Sequence, residues 1–161
     1  MTHPGRGDCE ALRPGPIAQP VNAVTSLAYL AFGVDLFVRA ARSGGEAESP
    51  IGPVFAGLLM ANGIGGVAFH GPGNRSAKWL HDVALTGTLA FMVVHDVALL
   101  VRVPGRHELA AVAVAVAGLG AMLAARPGHT NAASAAAGGT AAILELIVAA
   151  TAPAAGRPHQ R

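Results

Sequence analysis

Two histidines and an aspartate near the middle of the chain have the types and spacing that suit metal-assisted hydrolysis. His70 is separated from the His81-Asp82 pair by a short stretch that begins Gly71-Pro72-Gly73-Asn74. A turn this tight folds two helices back on each other, so the three side chains are expected to be neighbours. A neutral imidazole beside a carboxylate can bind Zn²⁺, whose bound water attacks carbonyl groups. Asp82 is then the candidate catalytic residue, which moves the proton or orients a ligand.

A third histidine, His129, follows Pro127-Gly128 and is expected at the same end of the molecule. His70, His81 and His129 therefore form a candidate three-histidine zinc site. The alternative is a structural role, since a histidine at a helix end often only bonds a carbonyl or lies among lipid headgroups.

A second His-Asp pair, His95-Asp96, recurs 14 residues after the first. On a helix this offset corresponds to about 21 Å, too far for both pairs to bind one metal. We expect the second pair to cap or solvate the opposite end of its helix, as we do for Asp35 and His107. Glu145 lies within an apolar segment, where an interhelical hydrogen bond in the protonated form is expected.

The elements that must position these residues are long apolar segments. Of the 161 residues, 52% are hydrophobic and only 12% are charged, about half the charged share of an ordinary soluble domain. Apolar stretches separated by proline, glycine and charge predict an all-α fold, a polytopic transmembrane helical bundle within one integral-membrane domain over residues 1–161. Its five helices are expected at 20–41, 51–70, 78–102, 107–125 and 133–152.

Composition also excludes several classes of protein. The alanine-rich runs lack the strict alternation of a β-barrel, and the hydrophobic content is too high for disorder. Charged residues form no basic patch, so nucleic acid is not an expected partner. Gly63-Ile64-Gly65-Gly66 lies in an apolar helix with no strand before it, which favours close helix packing over nucleotide binding. The single cysteine, Cys9, excludes an internal disulfide.

Five spanning helices place alternate connections on alternate sides of the membrane. One side, here called face A, receives the N-terminal segment and the loops 71–77 and 126–132; the other side is face B. Face A is expected to collect most of the polar residues: Asp8, Cys9, Glu10, Gln19, Asn22, Thr25, Ser26, His70, His81, Asp82 and His129. Ionisable groups at that depth suggest a functional site, and a multi-pass protein of this kind is expected in the plasma membrane if it is bacterial.

The ordered motifs of the chain resemble those of alkaline ceramidases and their bacterial relatives, a branch of the CREST membrane hydrolases. The resemblance covers roughly the first 100 residues. It rests on four pieces in the family's order: Cys9-Glu10, Gln19-Pro20-Val21-Asn22-Ala23-Val24-Thr25-Ser26, Gly63-Ile64-Gly65-Gly66-Val67-Ala68-Phe69-His70 and Leu80-His81-Asp82.

This resemblance implies a seven-helix membrane enzyme that uses Zn²⁺ to hydrolyse the amide bond of ceramide, so a membrane lipid is the expected partner. His70 matches the metal ligand that ends the family's G-x-G-S-x-x-F-H motif. Asp82 matches an aspartate thought to take part in proton transfer. Glu10 and Asn22 match N-terminal positions near which animal members bind Ca²⁺, a cation that prefers oxygen ligands.

The chain departs from the family pattern at three points. Gly66 stands where the family has a serine, and Gln19 replaces an acidic residue. The family's H-x-x-x-H pair, which supplies two further zinc ligands from the last helix, has no counterpart after His70, and five helices are expected instead of seven. The alternative hypothesis is therefore a catalytically inactive or truncated member of the family with a structural role only.

Overall fold

The computed structural model describes residues 10–43 and 50–151, and within these ranges the chain is helical with no strand. The all-α fold is therefore confirmed. Its helices are α1 (Pro20–Ser43), α2 (Ile51–His70), α3 (Arg75–Val101), α4 (Gly105–Ala125) and α5 (Thr130–Thr151), with a 3₁₀ turn at Pro127–His129. All five predicted helices are present, and α3, α4 and α5 begin two or three residues earlier than expected.

The hairpin between α2 and α3 is formed by local bonds that end one helix and start the next. Gly73 adopts a left-handed φ of 56°, which glycine accepts without strain, and its N–H donates to the Ala68 carbonyl at 3.3 Å. The Asn74 side chain then accepts the N–H of Ala77 at 2.8 Å. This N-cap explains why α3 begins at Arg75 and not three residues later.

The central helix of the bundle is α3, which packs against α2, α4 and α5, while α1 packs against α2. Glycines bring the backbones of the first three helices into contact. A Cβ atom on Gly63 would lie 2.6 Å from the backbone nitrogen of Leu30 in α1. A Cβ atom on Gly65 would lie 2.9 Å from the backbone nitrogen of His81 in α3. Side chains larger than hydrogen would separate these helices, so the glycine cluster serves close packing.

Each of the five helices is long enough and apolar enough to cross a membrane. Large apolar side chains cover the outside of the bundle, including Phe32, Val114 and Leu146, which are 64%, 74% and 73% exposed. In water such a surface would be unfavourable, whereas in lipid it is the expected outer face. The fold is that of a multi-pass integral membrane protein, with the hairpin between α2 and α3 on face A.

Candidate functional site

The segment that precedes α1 forms backbone hydrogen bonds with the end of α2 on face A. The N–H groups of Ala18 and Gln19 donate to the carbonyls of Gly71 and His70 at 3.1 and 2.9 Å. The last carbonyls of a helix have no partner within it, so these bonds satisfy groups that are costly to bury unpaired. They also hold the N-terminal motif residues beside the hairpin.

Glu10, a predicted calcium ligand, caps the start of α1. Its Oε1 accepts the Val21 N–H at 3.0 Å, and its Oε2 accepts the Asn22 N–H at 2.7 Å. Burial raises the pKa of this carboxyl, but the two N–H bonds and the charge of Arg13 outweigh burial and hold the pKa below its ordinary value. Asn22, the other predicted calcium ligand, accepts the Ser26 hydroxyl at its backbone carbonyl. Both residues stabilise the start of α1, and calcium coordination stays a prediction.

His70 is buried at the end of α2, where its ring bonds to Gln19. Its Nδ1 lies 2.6 Å from Gln19 Oε1, while Gln19 Nε2 donates to the Glu10 carbonyl at 2.8 Å. Because the amide nitrogen is engaged with a carbonyl, the amide oxygen faces His70 and accepts the Nδ1 hydrogen. The neutral ring then carries its lone pair on Nε2. His70 therefore has the tautomer and the fixed orientation that a metal ligand bound through Nε2 requires.

The His81 ring of α3 meets the His70 ring edge to face, with ring centroids 5.2 Å apart. The His81 ring also stacks on Phe69 at 5.6 Å, and a hydrogen bond with the backbone of Asn62 holds it. The Nδ1 atom of His81 is buried and has no hydrogen-bond partner among the described residues. A buried polar atom without a partner costs free energy, so this nitrogen needs an explanation beyond packing.

Ser26 occupies the space beside Gly66, where the ceramidase motif has a serine. A Cβ atom on Gly66 would contact the Ser26 hydroxyl, lie 2.7 Å from Ser26 Cβ, and lie 3.5 Å from His81 Nδ1. The Ser26 hydroxyl of α1 therefore lies close to where a side chain on residue 66 of α2 would begin. The sequence alone did not show this proximity, because it depends on how α1 and α2 align.

Asp82 follows His81 but turns to a different side of α3. Its Oδ2 accepts the Lys78 ammonium at 2.5 Å and the Thr130 hydroxyl at 2.8 Å. The carboxylate lines an open cleft of about 1270 Å³, together with Lys78 and Trp79, but neither His70 nor His81 lines it. The predicted hairpin brings His70 and His81 together, whereas Asp82 faces the start of α5.

The structure describes one further predicted zinc ligand, His129. His129 is exposed on the 3₁₀ turn before α5. Asp8 and Cys9 lie outside the described residues. Over 10–43 and 50–151, no group of three or more histidine, cysteine, aspartate or glutamate side chains is arranged to hold a metal ion. The described residues thus bring together two of the histidines proposed for zinc.

Two polar contacts and the burial of one carboxylate were not anticipated from the sequence. Lys78 pairs with Asp82 four residues later on α3, a spacing that signals an ion pair on a helix. Thr130 reaches Asp82 from α5, and no local pattern reveals that contact. On face B, the expected solvation of Asp96 was wrong, because this side chain is 2% exposed and therefore buried.

No family model, curated protein or solved structure matches the chain. The resemblance of its motifs to those of alkaline ceramidases therefore stays a prediction.

Proposed function

We propose that the protein is a membrane-embedded hydrolase that cleaves the amide bond of ceramide or a related lipid with the help of zinc. The observation that carries the proposal is the meeting of His70 and His81, with centroids 5.2 Å apart and a buried, unpartnered nitrogen on His81. The ordered motifs support it, and the plasma membrane is the proposed location in a bacterium.

The two imidazoles fit zinc as part of a ligand set. His70 carries its lone pair on Nε2, since Gln19 accepts the hydrogen of Nδ1, and His81 Nδ1 has no partner among the described residues. Catalytic zinc sites use three protein ligands and a water, so the proposal requires a third ligand. His129 is the ligand predicted from the sequence, and the residues outside 10–43 and 50–151 are the other source. When bound, the metal supplies a Lewis acid and an activated water.

The proposal places the hydrocarbon part of the lipid in the cleft beside Asp82. It requires the amide bond to extend from there toward His70 and His81, which do not line the cleft. The walls of the cleft combine Trp79 and Leu123, which suit an acyl chain, with Asp82 and Lys78, which suit a polar headgroup. Lys78 and Thr130 both donate to Oδ2 and fix the position of the Asp82 carboxylate. The proposal gives this carboxylate the role predicted from the sequence, which is to move the proton or to orient the bound amide. Because the cleft is open, a lipid can enter from the side of the bundle.

The decisive experiment is the zinc content of purified protein, measured by mass spectrometry of the metal. We expect about one zinc per chain in the wild type, and loss of most of it in His70→Ala and His81→Ala. His107→Ala is the matched control, since this histidine is exposed at the start of α4 on face B. His129→Ala tests whether the third predicted histidine contributes. Hydrolysis of a fluorescent ceramide should fall in the variants that lose zinc. A wild type that contains little zinc would reject the proposal.

A second function is favoured by the structural partners of these polar residues. Glu10 caps α1, Gln19 joins His70 to the N-terminal segment, and Asp82 is satisfied by Lys78 and Thr130. In a catalytically inactive membrane protein, these contacts would only hold the helices together. That alternative predicts that His70→Ala lowers stability while ceramide hydrolysis is absent from both wild type and variant.

A further inference from the structure

Face B holds a second group of ionisable side chains, contributed by three helices. His95 of α3 bonds through Nδ1 to Oε1 of Glu108 of α4 at 2.7 Å, and Glu108 is buried. Asp96 follows on α3, and Glu145 of α5 is near enough to act on it electrostatically. These residues lie about 21 Å along α3 from His81 and Asp82, so the group is separate from the proposed zinc site.

Asp96 forms no ion pair among the described residues, where the ion pairs are Arg39–Asp35, Lys78–Asp82 and His95–Glu108. Its side chain is 2% exposed, and its Oδ2 has no hydrogen-bond partner in the described ranges. His95 is the one basic group there that acts on Asp96 electrostatically, and its Nδ1 is bonded to Glu108. An isolated carboxylate in an apolar surrounding is strongly unfavourable unless a proton or a cation neutralises it.

Asp96 and Glu145 both line a cavity of about 430 Å³ on face B, within the size range of small-ligand sites. The first residues of α2 form one wall, and α3 and α5 form the others. Phe55 and Phe91 stack at 4.9 Å, and Phe91 also stacks on His95 at 5.8 Å. The cavity therefore combines two acidic groups with aromatic and aliphatic walls.

The size and lining of the cavity select the kind of cation. A bare metal ion would leave most of the volume empty, and no described group of three or more acidic, histidine or cysteine side chains is arranged to bind one. Aromatic faces attract ammonium groups, and apolar walls accommodate a hydrocarbon body. Glu145 is exposed on the outside of α5, so the cavity opens toward the lipid.

We propose that this cavity binds an amphiphilic primary amine that enters from the membrane. The ammonium group lies between the carboxylates of Asp96 and Glu145, which both line the cavity. The hydrocarbon chain contacts Ile51, Phe55 and Met92 and leaves past Glu145 into the lipid.

The proposal is tested with dodecylamine as the probe and dodecanol as its uncharged counterpart. The full chain is placed in phosphatidylcholine nanodiscs, and radiolabelled probe is measured by equilibrium dialysis against empty nanodiscs, which report simple partitioning. We expect saturable binding of one dodecylamine per chain and no saturable binding of dodecanol. Equal binding of the two probes, or no saturable binding of the amine, would overturn the proposal.

Two substitutions test the site by independent means. Asp96→Asn removes the charge with little change in shape, and we expect it to weaken dodecylamine binding about ten- to a hundredfold, the usual cost of a lost charged hydrogen bond. Gly52→Leu is designed to fill the cavity and leave both carboxylates in place, because a Cβ atom on Gly52 meets none of the described residues within 4 Å. It should abolish saturable binding.

Gly57→Leu is the matched control, since Gly57 lies on the same helix, also has open space around it, and does not line the cavity. This variant should bind dodecylamine as the wild type does. Helix content and thermal unfolding of each variant show that the fold is retained. If both Asp96→Asn and Gly52→Leu leave binding unchanged, the amine binds elsewhere and the proposal is wrong.

Discussion

Substitution of Gly66 by alanine tests the packing that places the Ser26 hydroxyl beside the two histidines. The new Cβ atom would lie 2.7 Å from Ser26 Cβ, whereas carbon atoms in contact are about 3.5 to 4.0 Å apart. Helices α1 and α2 would therefore have to separate by about 1 Å at this point. Overpacking of this kind costs about 1 to 3 kcal/mol, which we expect as the loss in free energy of unfolding for Gly66→Ala.

A double-mutant cycle isolates the contact. Ser26→Gly alone should destabilise by about 1 kcal/mol, because glycine is a poor helix residue and the bond from the hydroxyl to the Asn22 carbonyl is lost. When it is combined with Gly66→Ala, the space it opens accepts the new methyl group. The double variant should therefore be more stable than the sum of the two single effects predicts.

The measurement is reversible unfolding in mixed micelles, with Gly57→Ala as the control, since a Cβ atom there meets nothing within 4 Å. This control should be neutral or slightly stabilising. If Gly66→Ala is as well tolerated as Gly57→Ala, or if the cycle shows no coupling, then α1 does not pack on α2 with Ser26 at Gly66. In that case the Ser26 hydroxyl would not lie beside His70 and His81.

Three further predictions concern face A. Gln19→Ala removes a fully buried side chain that joins His70 to the Glu10 carbonyl, and it should lower the free energy of unfolding by about 1 to 3 kcal/mol in the same assay. Glu10 has a native pKa below its ordinary value of 4.5, so the cap that it forms on α1 stabilises the fold above pH 4.5, and this stability is lost as the pH falls through the native pKa. Glu10→Gln should therefore lose less stability than the wild type when the pH is lowered through this range. Identical acid unfolding curves for the two proteins would contradict the cap. Thr130→Val removes one of the two donors to Asp82, and thermal unfolding should show a loss of about 1 kcal/mol that Thr25→Val, on the exposed side of α1, does not show.

The helices could be predicted from the sequence because their signal is continuous and local. Each apolar stretch is long enough to span a bilayer, and proline or glycine marks most connections. The first residues of the helices were predicted less accurately, since a cap such as Asn74 extends the helix by residues that hydrophobicity does not reveal. Fold class therefore follows from composition, whereas the exact bounds depend on single hydrogen bonds.

The site could be predicted only as far as the hairpin determines it. The short loop between α2 and α3 brings His70 and His81 together, as the sequence predicts. The direction of Asp82 could not be foreseen, because consecutive residues on a helix point about 100° apart, and its partner Thr130 comes from α5. The role of Ser26 depends on the alignment of α1 with α2, which no local pattern determines.

His81 separates the two proposed functions more sharply than His70 does. The bond from His70 to Gln19 suits both functions, because a structural histidine and a metal-binding histidine each need a partner for Nδ1. The buried Nδ1 of His81, which has no hydrogen-bond partner among the described residues, favours zinc binding, since a structural ring gains nothing from that nitrogen. Replacement of His81 by leucine removes the bond to the Asn62 backbone in either case. In an inactive bundle it should therefore change stability alone, whereas in a zinc hydrolase it should also remove the metal and the activity.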